Sequence, residues 1–442
     1  MSETRILLEH IDEPDLHEIA VYERLGGYRS LHKALFDMGP EEVLHQLEES
    51  GLRGRGGAGF AMGKKASFIP KGTMDKYLCC NADESEPGAF KDRLLLQKNP
   101  HQLIEGCIIG SSAAGANKGF IFIRGEYSFQ ADILDRAVAE AYERGYLGER
   151  ILGSEHSFEL VVHRGQGAYI CGEETGLLDA LEGKRGNPRL KPPFPANQGL
   201  YQGPTLINNV ETLCTTPIII DKGADWYRQL GEGNSTGTKL VSISGNVQRP
   251  GNYEIEFGMT AREVIYGLGG GPPEGREVKC FFPGGSSAPV LTKEHLDVPF
   301  TYEAMAEAGS MLGTASVIVV DDSQPLVPLA LRLAEFYRHE SCGKCVPCRE
   351  GTNWTVKMLE RIDEGEGTPM DLDIMAQVQT NIIGNCLCVL GDSMAMPIGS
   401  MIVHFREEFE QHMEAARRRR DLQEMEALGA GELGSVQEAG VA

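Results

Sequence analysis

The sequence predicts an α/β protein in three parts: an α/β domain with a largely parallel sheet, a small β-grasp domain and a C-terminal helical bundle. Three observations predict it. From residue 51 to 237 strand-like and helix-like segments alternate, as in sheets built from β-α-β units. From 238 to 324 short apolar strands are separated by Gly/Pro turns around one helix. From 325 to 413 the apolar spacing is helical throughout. With 442 residues, 41% of them hydrophobic, the chain can bury several cores.

The elements follow in order. Residues 1–50 read as a helical lead-in, because "SLHKALFDMGPEEVLHQLEESG" has helical apolar spacing and stops at Gly51. "KYLCCNADESEPG" is a short apolar strand that runs into an acidic loop. "PHQLIEGCIIGSSAAGAN" is a buried helix, "KGFIFIRGEY" a strand and "QADILDRAVAEAYERG" an amphipathic helix. "SFELVVHRGQGAYICGEET" is a further strand, ending in glycines and acids. Ligands of such sheets bind beyond the carboxyl ends of the strands, which here carry "NADE" and "GEET". "KLVSISGNVQRPGNYEI", "VKCFFPGGSSAPVL" and "TASVIVVDD", with the helix "TAREVIYGLGG", make the β-grasp part. Helices from "PLALRLAEFYRHE" to "AMPIGSMIVHFREEFEQHMEAA" make the bundle. The charged, small-residue-rich stretch 414–442 predicts a frayed helix end and then disorder, with its four arginines solvated.

The net charge of −22 disfavours nucleic acid, whose phosphates call for Lys/Arg surfaces. The acidic N-terminus lacks the basic and apolar regions of a secretion signal. No apolar run reaches the ~18 residues that a membrane-spanning helix needs. These features predict a soluble intracellular protein. The eleven cysteines do not form a secreted disulfide pattern, and Cys107, Cys214 and Cys280 are expected as buried thiols.

Three motifs carry chemistry. "GLRGRGGAGFAMGKK", Gly51 to Lys65, holds six glycines and four basic residues. It lacks the G-K-[ST] ending of a Walker A loop, and its G-x-G-x-x-G, Gly54 to Gly59, follows a helix rather than a strand. Glycines still let backbone N–H groups approach phosphate, and Arg/Lys supply charge. Phe60 and Phe68 beside it either stack on a ring or pack in the core. The acidic loops place Asp83, Glu84 and Glu86, and then Glu173 and Glu174, where carboxylates accept from ribose diols or a flavin N–H, or simply face water. Acids at an adenosine ribose favour NAD over NADP. The third motif is the run Cys342, Cys345 and Cys348, with Cys386 and Cys388 some forty residues on. A [4Fe–4S] cluster suits three close thiolates and one remote one. A zinc site comes second, since C-x-C is an unusual zinc pair, and a redox disulfide third.

Together "GLRGRGGAGF", "YLCCNADESEPGAFKDR", "IRGEY", "YICGEETGLLDALEG", "PPFPA", "NNVETL" and "ESCGKCVPCREG" resemble the NADH-binding flavoprotein subunits of respiratory complex I (the F subunits of NADH:quinone oxidoreductase). The resemblance runs from about Gly51 to about Glu410. It implies a Rossmann-like FMN domain, a ubiquitin-like β-grasp domain and a helical bundle with a [4Fe–4S] cluster. It implies hydride transfer from NADH to FMN and single electrons to the cluster, within a respiratory electron-transport complex.

By the same resemblance Gly54, Arg55, Gly56, Gly57, Ala58 and Gly59 lie against FMN and NADH, with Lys65 near phosphate and carbonyl groups. Phe60, Phe68 and Phe194 line the adenine side. Asn81, Asp83 and Glu84 contact flavin and nicotinamide, Glu84 being the candidate catalytic residue that tunes nicotinamide binding. Gly172, Glu173 and Glu174 serve the flavin and ribose sites, and Asn208, Asn209 and Thr212 the ribityl-phosphate end. Before "VLG" it selects Cys388 as the fourth cluster ligand. Met62 and Ala66 depart from the family pattern and are expected beside the NADH channel. The implied partners are a thioredoxin-like [2Fe–2S] subunit and a large iron–sulfur subunit. The implied location is the cytoplasmic face of the bacterial plasma membrane, reached through other complex I subunits. Diaphorase subunits of NAD-linked hydrogenases and formate dehydrogenases share the motifs but often carry extra domains, and neither addition occurs here. A zinc-stabilised scaffold without activity is the remaining alternative.

Overall fold

The computed structural model describes residues 3–72 and 74–438, with side chains to residue 426. It forms two compact units, residues 1–322 and 323–442.

The first unit opens with α1 (Ile19–Arg24), α2 (Arg29–His32), a π-helical turn (Lys33–Met38) and α3 (Pro40–Glu49). The lead-in breaks at Gly39, whose φ of 77° suits a residue without Cβ, and restarts with Pro40 in the first turn. The short helix α4 (Met62–Ser67) follows the glycine loop.

The sheet then alternates with helices: β1 (Tyr77–Ala82), α5 (Lys91–Lys98), α6 (Pro100–Ala114), β2 (Lys118–Ile123), α7 (Ser128–Glu143), β3 (Glu159–Arg164), α8 (Glu174–Leu181), β4 (Thr205–Asn209), α9 (Val210–Lys222) and α10 (Ala224–Arg228). All four strands are parallel, in the order β3-β2-β1-β4. The helix α6 is buried on nearly every side and packs on α9. The approach is so close that a Cβ on Gly106 would lie 2.1 Å from the Leu213 carbonyl. Cys107 and Cys214 belong to this core, as expected of buried thiols.

The remainder of the unit is a β-grasp sheet preceded by a ribbon of β5 (Gly231–Glu232) and β6 (Ser235–Thr236). Its strands are β7 (Thr238–Gly245), β8 (Gly251–Glu256), β9 (Val278–Phe282), β10 (Leu291–Thr292) and β11 (Ser316–Asp321), in the order β10-β9-β11-β7-β8. Only β7 and β11 pair in parallel. Val264 and Ile265, on a π-helical turn, cover Val241, Ile243 and Val317, and α11 (Tyr302–Glu307) closes the far side. The N-terminal arm is clamped here, where the amides of Ile6, Leu7 and Leu8 donate to the Glu254 carboxylate at 2.8–2.9 Å.

The second unit is a bundle of α12 (Leu326–Glu340), α13 (Val346–Asp363), α14 (Pro369–Ile382) and α15 (Leu390–Glu438). Leu333, Val356, Met375, Met394 and Ile398 lie in its core. The run of α15 breaks once, at Phe405 (φ −132°). It then continues past residue 414 as helix, where the sequence predicts fraying and disorder. The correction has a local cause: Glu414 pairs with Arg418 and Arg420 with Glu424 at i,i+4 spacing, among good helix formers. Residues 439–442 of that predicted tail lie outside the described residues. Among the described residues no helix is long and apolar enough to cross a membrane.

Candidate functional site

The sheet order defines the first site. The chain steps outward from β1 to β2 to β3, then returns to β4 on the other side of β1. The carboxyl ends of β1 and β4 therefore flank a topological switch point, the ordinary ligand crevice of such sheets. Asn81 pairs with Asn209 at that edge, with Asn208 one residue earlier. The "NADE" loop leaves β1 there, and the glycine loop lies against it, a Cβ on Gly56 falling 2.9 Å from that of Asn209.

The glycine loop is braced from outside and open within. Gly54 N–H donates to the Phe60 carbonyl at 2.8 Å, and the Tyr302 hydroxyl donates to the Gly54 carbonyl at 3.0 Å. Among the described residues the amides of Gly56, Gly57, Ala58 and Gly59 find no protein acceptor, and Gly56 and Ala58 are exposed. Asn208 Nδ2 is buried at the same edge without a partner. Unused amides plus an unpaired buried donor fit an anionic cofactor such as FMN.

Two residues expected at the ligand turn inward instead. Arg55 is fully buried, donates through Nη2 to the Tyr227 hydroxyl and the Thr236 carbonyl, and lies over the Phe257 ring. Its charge braces the loop from the protein side. Thr212 is also fully buried, and its hydroxyl accepts from Arg55 N–H at 2.8 Å. Asn209 is likewise committed: it caps α9 through Glu211 N–H and donates to Asp92 at 2.6 Å. Met62 and Ala66, expected beside the NADH channel, are core residues because α4 turns that face inward.

The acidic residues divide by partner. Asn81 donates to the Gly172 carbonyl at 2.8 Å, joining the β1 loop to the turn after β3, and Ser85 donates to Asp83. Glu84 is buried, and both its oxygens are taken: Oε1 accepts from Asp92 N–H, Oε2 from Arg93 N–H and the Tyr127 hydroxyl. It secures the start of α5. Burial first, and the Asp92 charge second, push its carboxyl up to about 7. Glu173 is the N-cap of α8, accepting from the amides of Thr175 and Gly176, and its other oxygen meets Lys191 at 2.9 Å. Glu174 lies between Lys65 at 3.0 Å and Lys191 at 2.8 Å. Burial opposes its charge, but the two lysines outweigh that and hold its pKa down.

The aromatic candidates stay outside the core. Phe60, Phe68 and Phe194 are all about half exposed, and the rings of Phe60 and Phe68 stand 6.3 Å apart. Such rings are available to a planar ligand.

Some partners escaped the sequence reading. Lys191, Tyr302 and Tyr227 secure the predicted residues, and Arg124 donates to the Glu84 carbonyl. Arg124 stands in "IRGEY" and Lys191 immediately before "PPFPA", so both bordered quoted motifs. The two tyrosines lie too far along the chain to show any signal.

The second site lies in the bundle. Cys342 and Cys345 stand in the loop before α13, and Cys348 in its first turn. Leu387 N–H donates to Cys345 Sγ at 3.2 Å, which brings the remote "CLC" segment onto the rim. Cys348 is pushed up, first by burial and then by the charges of Cys342 and Cys345, against the Ser341 hydroxyl. Burial and then Cys348 and Cys345 push Cys386 up to about 12, and its S–H points at the Ile382 carbonyl. Cys388 is half-buried two residues on. Among the described residues no three cysteine sulfurs lie within 4.8 Å of one another. Three thiols close in sequence and met by a remote segment suit an iron–sulfur cluster.

Comparisons with known proteins agree with this geometry. A family model described as the Nuo51 FMN-binding domain matches residues 47–217. One described as the SLBB domain matches 240–291, and one described as the NADH-ubiquinone oxidoreductase-F iron-sulfur binding region matches 328–412. An NADH-quinone oxidoreductase F subunit (numbered 2) of Rhizobium meliloti (strain 1021) is 52% identical over 93% of this chain and 98% of its own length. The NADH-quinone oxidoreductase F subunit of Escherichia coli (strain K12) is 47% identical over 88% of each chain. A chain of the NAD+-reducing [NiFe]-hydrogenase in its H2-reduced state superposes with a TM-score of 0.80 at 34% identity, over 93% of this chain and 67% of that one. This chain belongs to the family of NADH-quinone oxidoreductase F subunits.

Proposed function

We infer that this chain oxidises NADH by hydride transfer to FMN and passes electrons singly to a [4Fe–4S] cluster, as the electron-input subunit of NADH:quinone oxidoreductase. The observation that carries the reading is the pairing, in one chain, of an anion-ready glycine loop at a sheet switch point with a C-x2-C-x2-C run onto which the remote "CLC" segment folds. Bound FMN and the bound cluster supply the conversion between the two-electron chemistry of NADH and one-electron transfer.

The protein's own work is positioning. The amides of Gly56 to Gly59 and Asn208 Nδ2 hold FMN. Asn81 and Asp83 shape the edge where flavin and nicotinamide meet, and Gly172 leaves room beside Asp83, whose Oδ2 would stand 3.3 Å from a Cβ there. Phe60, Phe68 and Phe194 receive the adenine side, while Lys65, Glu173 and Glu174 form a paired polar wall for ribose and phosphate. Glu84 acts through the loop it secures rather than by touching nicotinamide. Cys342, Cys345, Cys348 and Cys388 supply the four thiolates. The labour then divides as 51–237 for FMN and NADH, 238–324 for the β-grasp domain and 325–413 for the cluster.

The partners that fit are a thioredoxin-like [2Fe–2S] subunit and a large iron–sulfur subunit, which would hold this chain at the cytoplasmic face of the membrane. Likeness to the hydrogenase chain supports a second reading, a diaphorase subunit, but at lower identity than to the quinone oxidoreductase relatives. Anaerobic purification with native partners, followed by absorption and low-temperature EPR before and after NADH, tests the reading. A bleached flavin band with a reduced cubane signal is expected. Zinc in the cysteine rim, or no flavin in the folded assembly, would sink it. Co-purifying hydrogenase or formate dehydrogenase subunits would select the second reading.

A further inference from the structure

A chain of buried charges beneath the glycine loop has no part in the roles above. Lys239, the second residue of β7, is 1% exposed, and its Nζ meets Glu211 Oε2 on α9 at 2.5 Å. The neighbouring Leu240 N–H donates to the other Glu211 oxygen at 2.8 Å. The same Glu211 Oε2 holds Lys91 Nζ at 2.9 Å. Lys91 in turn meets Asp92 at 2.6 Å and Asn209 Oδ1 at 3.4 Å. Asp92 accepts from Asn209 Nδ2 at 2.6 Å, and the Gly56 backbone passes so close to Asn209 that a Cβ there would lie 2.9 Å from the Asn209 Cβ. The path is continuous from the β-grasp sheet to the glycine loop.

Stability does not account for this arrangement. Taking four charges out of water is costly, and packed hydrophobic residues often serve a core as well or better. What such a network does provide is fixed orientation, with Glu211 Oε2 shared by both lysines and Lys91 held by three acceptors. It also sets the charge. Glu211 feels the charges of Lys239, Lys91 and Arg55, and Lys91 those of Asp92, Glu211 and Glu84, so loss of Lys239 makes the region beneath the site of an anionic cofactor more negative. Burial draws the Lys239 ammonium down to about 7 against the pull of Glu211, so its charge depends on the pairing.

We propose that Lys239 of the β-grasp domain is a positioning residue for the flavin site, acting through Glu211, Lys91, Asp92 and Asn209 on the glycine loop and on the charge beneath it. This gives the β-grasp domain a part in the redox chemistry. It rests on the FMN reading above.

The test compares Lys239→Met with Glu211→Gln in the purified, partner-bound assembly. The readouts are FMN dissociation, flavin midpoint potential and the EPR signal of the cluster. In Lys239→Met the site is more negative, so FMN binding weakens about tenfold and the potential falls by ~30 mV, a tenfold change for two electrons. In Glu211→Gln the potential moves the opposite way. The cluster signal is unchanged in both. Opposite signs separate charge positioning from damaged packing, which would shift both variants alike. Should Lys239→Met fail to assemble, Lys239→Gln takes its place beside Glu211→Gln, and opposite signs are still expected. Wild-type protein that binds FMN while the variants match it overturns this inference alone. Wild-type protein without FMN overturns the functional reading beneath it.

Discussion

The two sites are built on opposite principles. At the sheet edge nearly every side chain is already engaged by protein: Glu84 secures α5, Glu173 caps α8, Asn209 caps α9, and Arg55 is locked under the loop. Among the described residues the amides of Gly56 to Gly59 and Asn208 Nδ2 are left for a ligand, and Arg55 Nε and Nη1 are likewise without a partner. At the bundle rim burial, and after it the neighbouring thiols, push Cys348 and Cys386 up, so these two resist ionisation until a cation arrives. One site is formed before its cofactor binds, and the other is completed by it. Cofactor loss should therefore have different structural consequences in the two units.

The largest effect that sharpens this contrast is loss of a rim thiolate. Cys348→Ala is expected to abolish the cubane EPR signal and NADH-driven quinone reduction, while FMN content stays at the wild-type level. Flavin lost together with the cluster would break the contrast. Iron chelation should act in the same direction, loosening the bundle in hydrogen exchange and leaving β1 to β4 protected.

Asn208→Ala ranks second. A hydrogen bond to a charged group contributes about 1.5–3 kcal/mol, so FMN affinity should fall roughly 10- to 100-fold. Because Asn208 Nδ2 has no protein partner to lose, thermal stability of the FMN-free chain should barely move. Fluorescence titration with FMN and a melting curve together decide it.

These contrasts also explain what the sequence could reveal. Three strands of the parallel sheet were legible because "LCC", "FIFI" and "LVV" are short apolar runs bounded by turns, whereas β4, "TLINN", was not read as a strand. The cysteine rim was legible because three of its thiols, Cys342, Cys345 and Cys348, are close in sequence. Roles at the sheet edge were less so. Arg55 stands among glycines like a phosphate ligand, and only Tyr227, Thr236 and Phe257, distant in sequence, reveal that it is a brace. The capping roles of Glu84 and Glu173 were not legible, because a helix-capping carboxylate and a ribose-binding one are the same letter. Lys239 in an apolar strand was a visible oddity, but its partner Glu211 lies in a different domain.

A smaller effect tests the aromatic wall. An aromatic stacking contact contributes about 0.5–1.5 kcal/mol, so Phe194→Ala should raise KM for NADH roughly 2- to 10-fold with kcat little changed. Phe194 is half exposed, so no core cavity forms. A fall in kcat without a change in KM would move this ring from the adenine side to the reacting end.

The last effect, read from pH dependence rather than from binding or turnover, concerns Glu84. Its carboxyl titrates near 7 in the folded protein, and at about 4.3 in an unfolded chain. Between those values the native state holds a proton that the unfolded state has released. The unfolded state binds fewer protons, so stability falls as pH rises through that window and levels off above it. The contribution of one such group is at most ~1.4 kcal/mol per pH unit. In Glu84→Gln this slope disappears, so urea midpoints of wild type and variant, followed by flavin fluorescence, should converge or diverge steadily between pH 5 and 7. Parallel curves would mean that Glu84 is ionised throughout, as expected of a carboxylate held by two amides and a hydroxyl whose burial counts for little. Such curves would return Glu84 to the list of charged groups that act on nicotinamide.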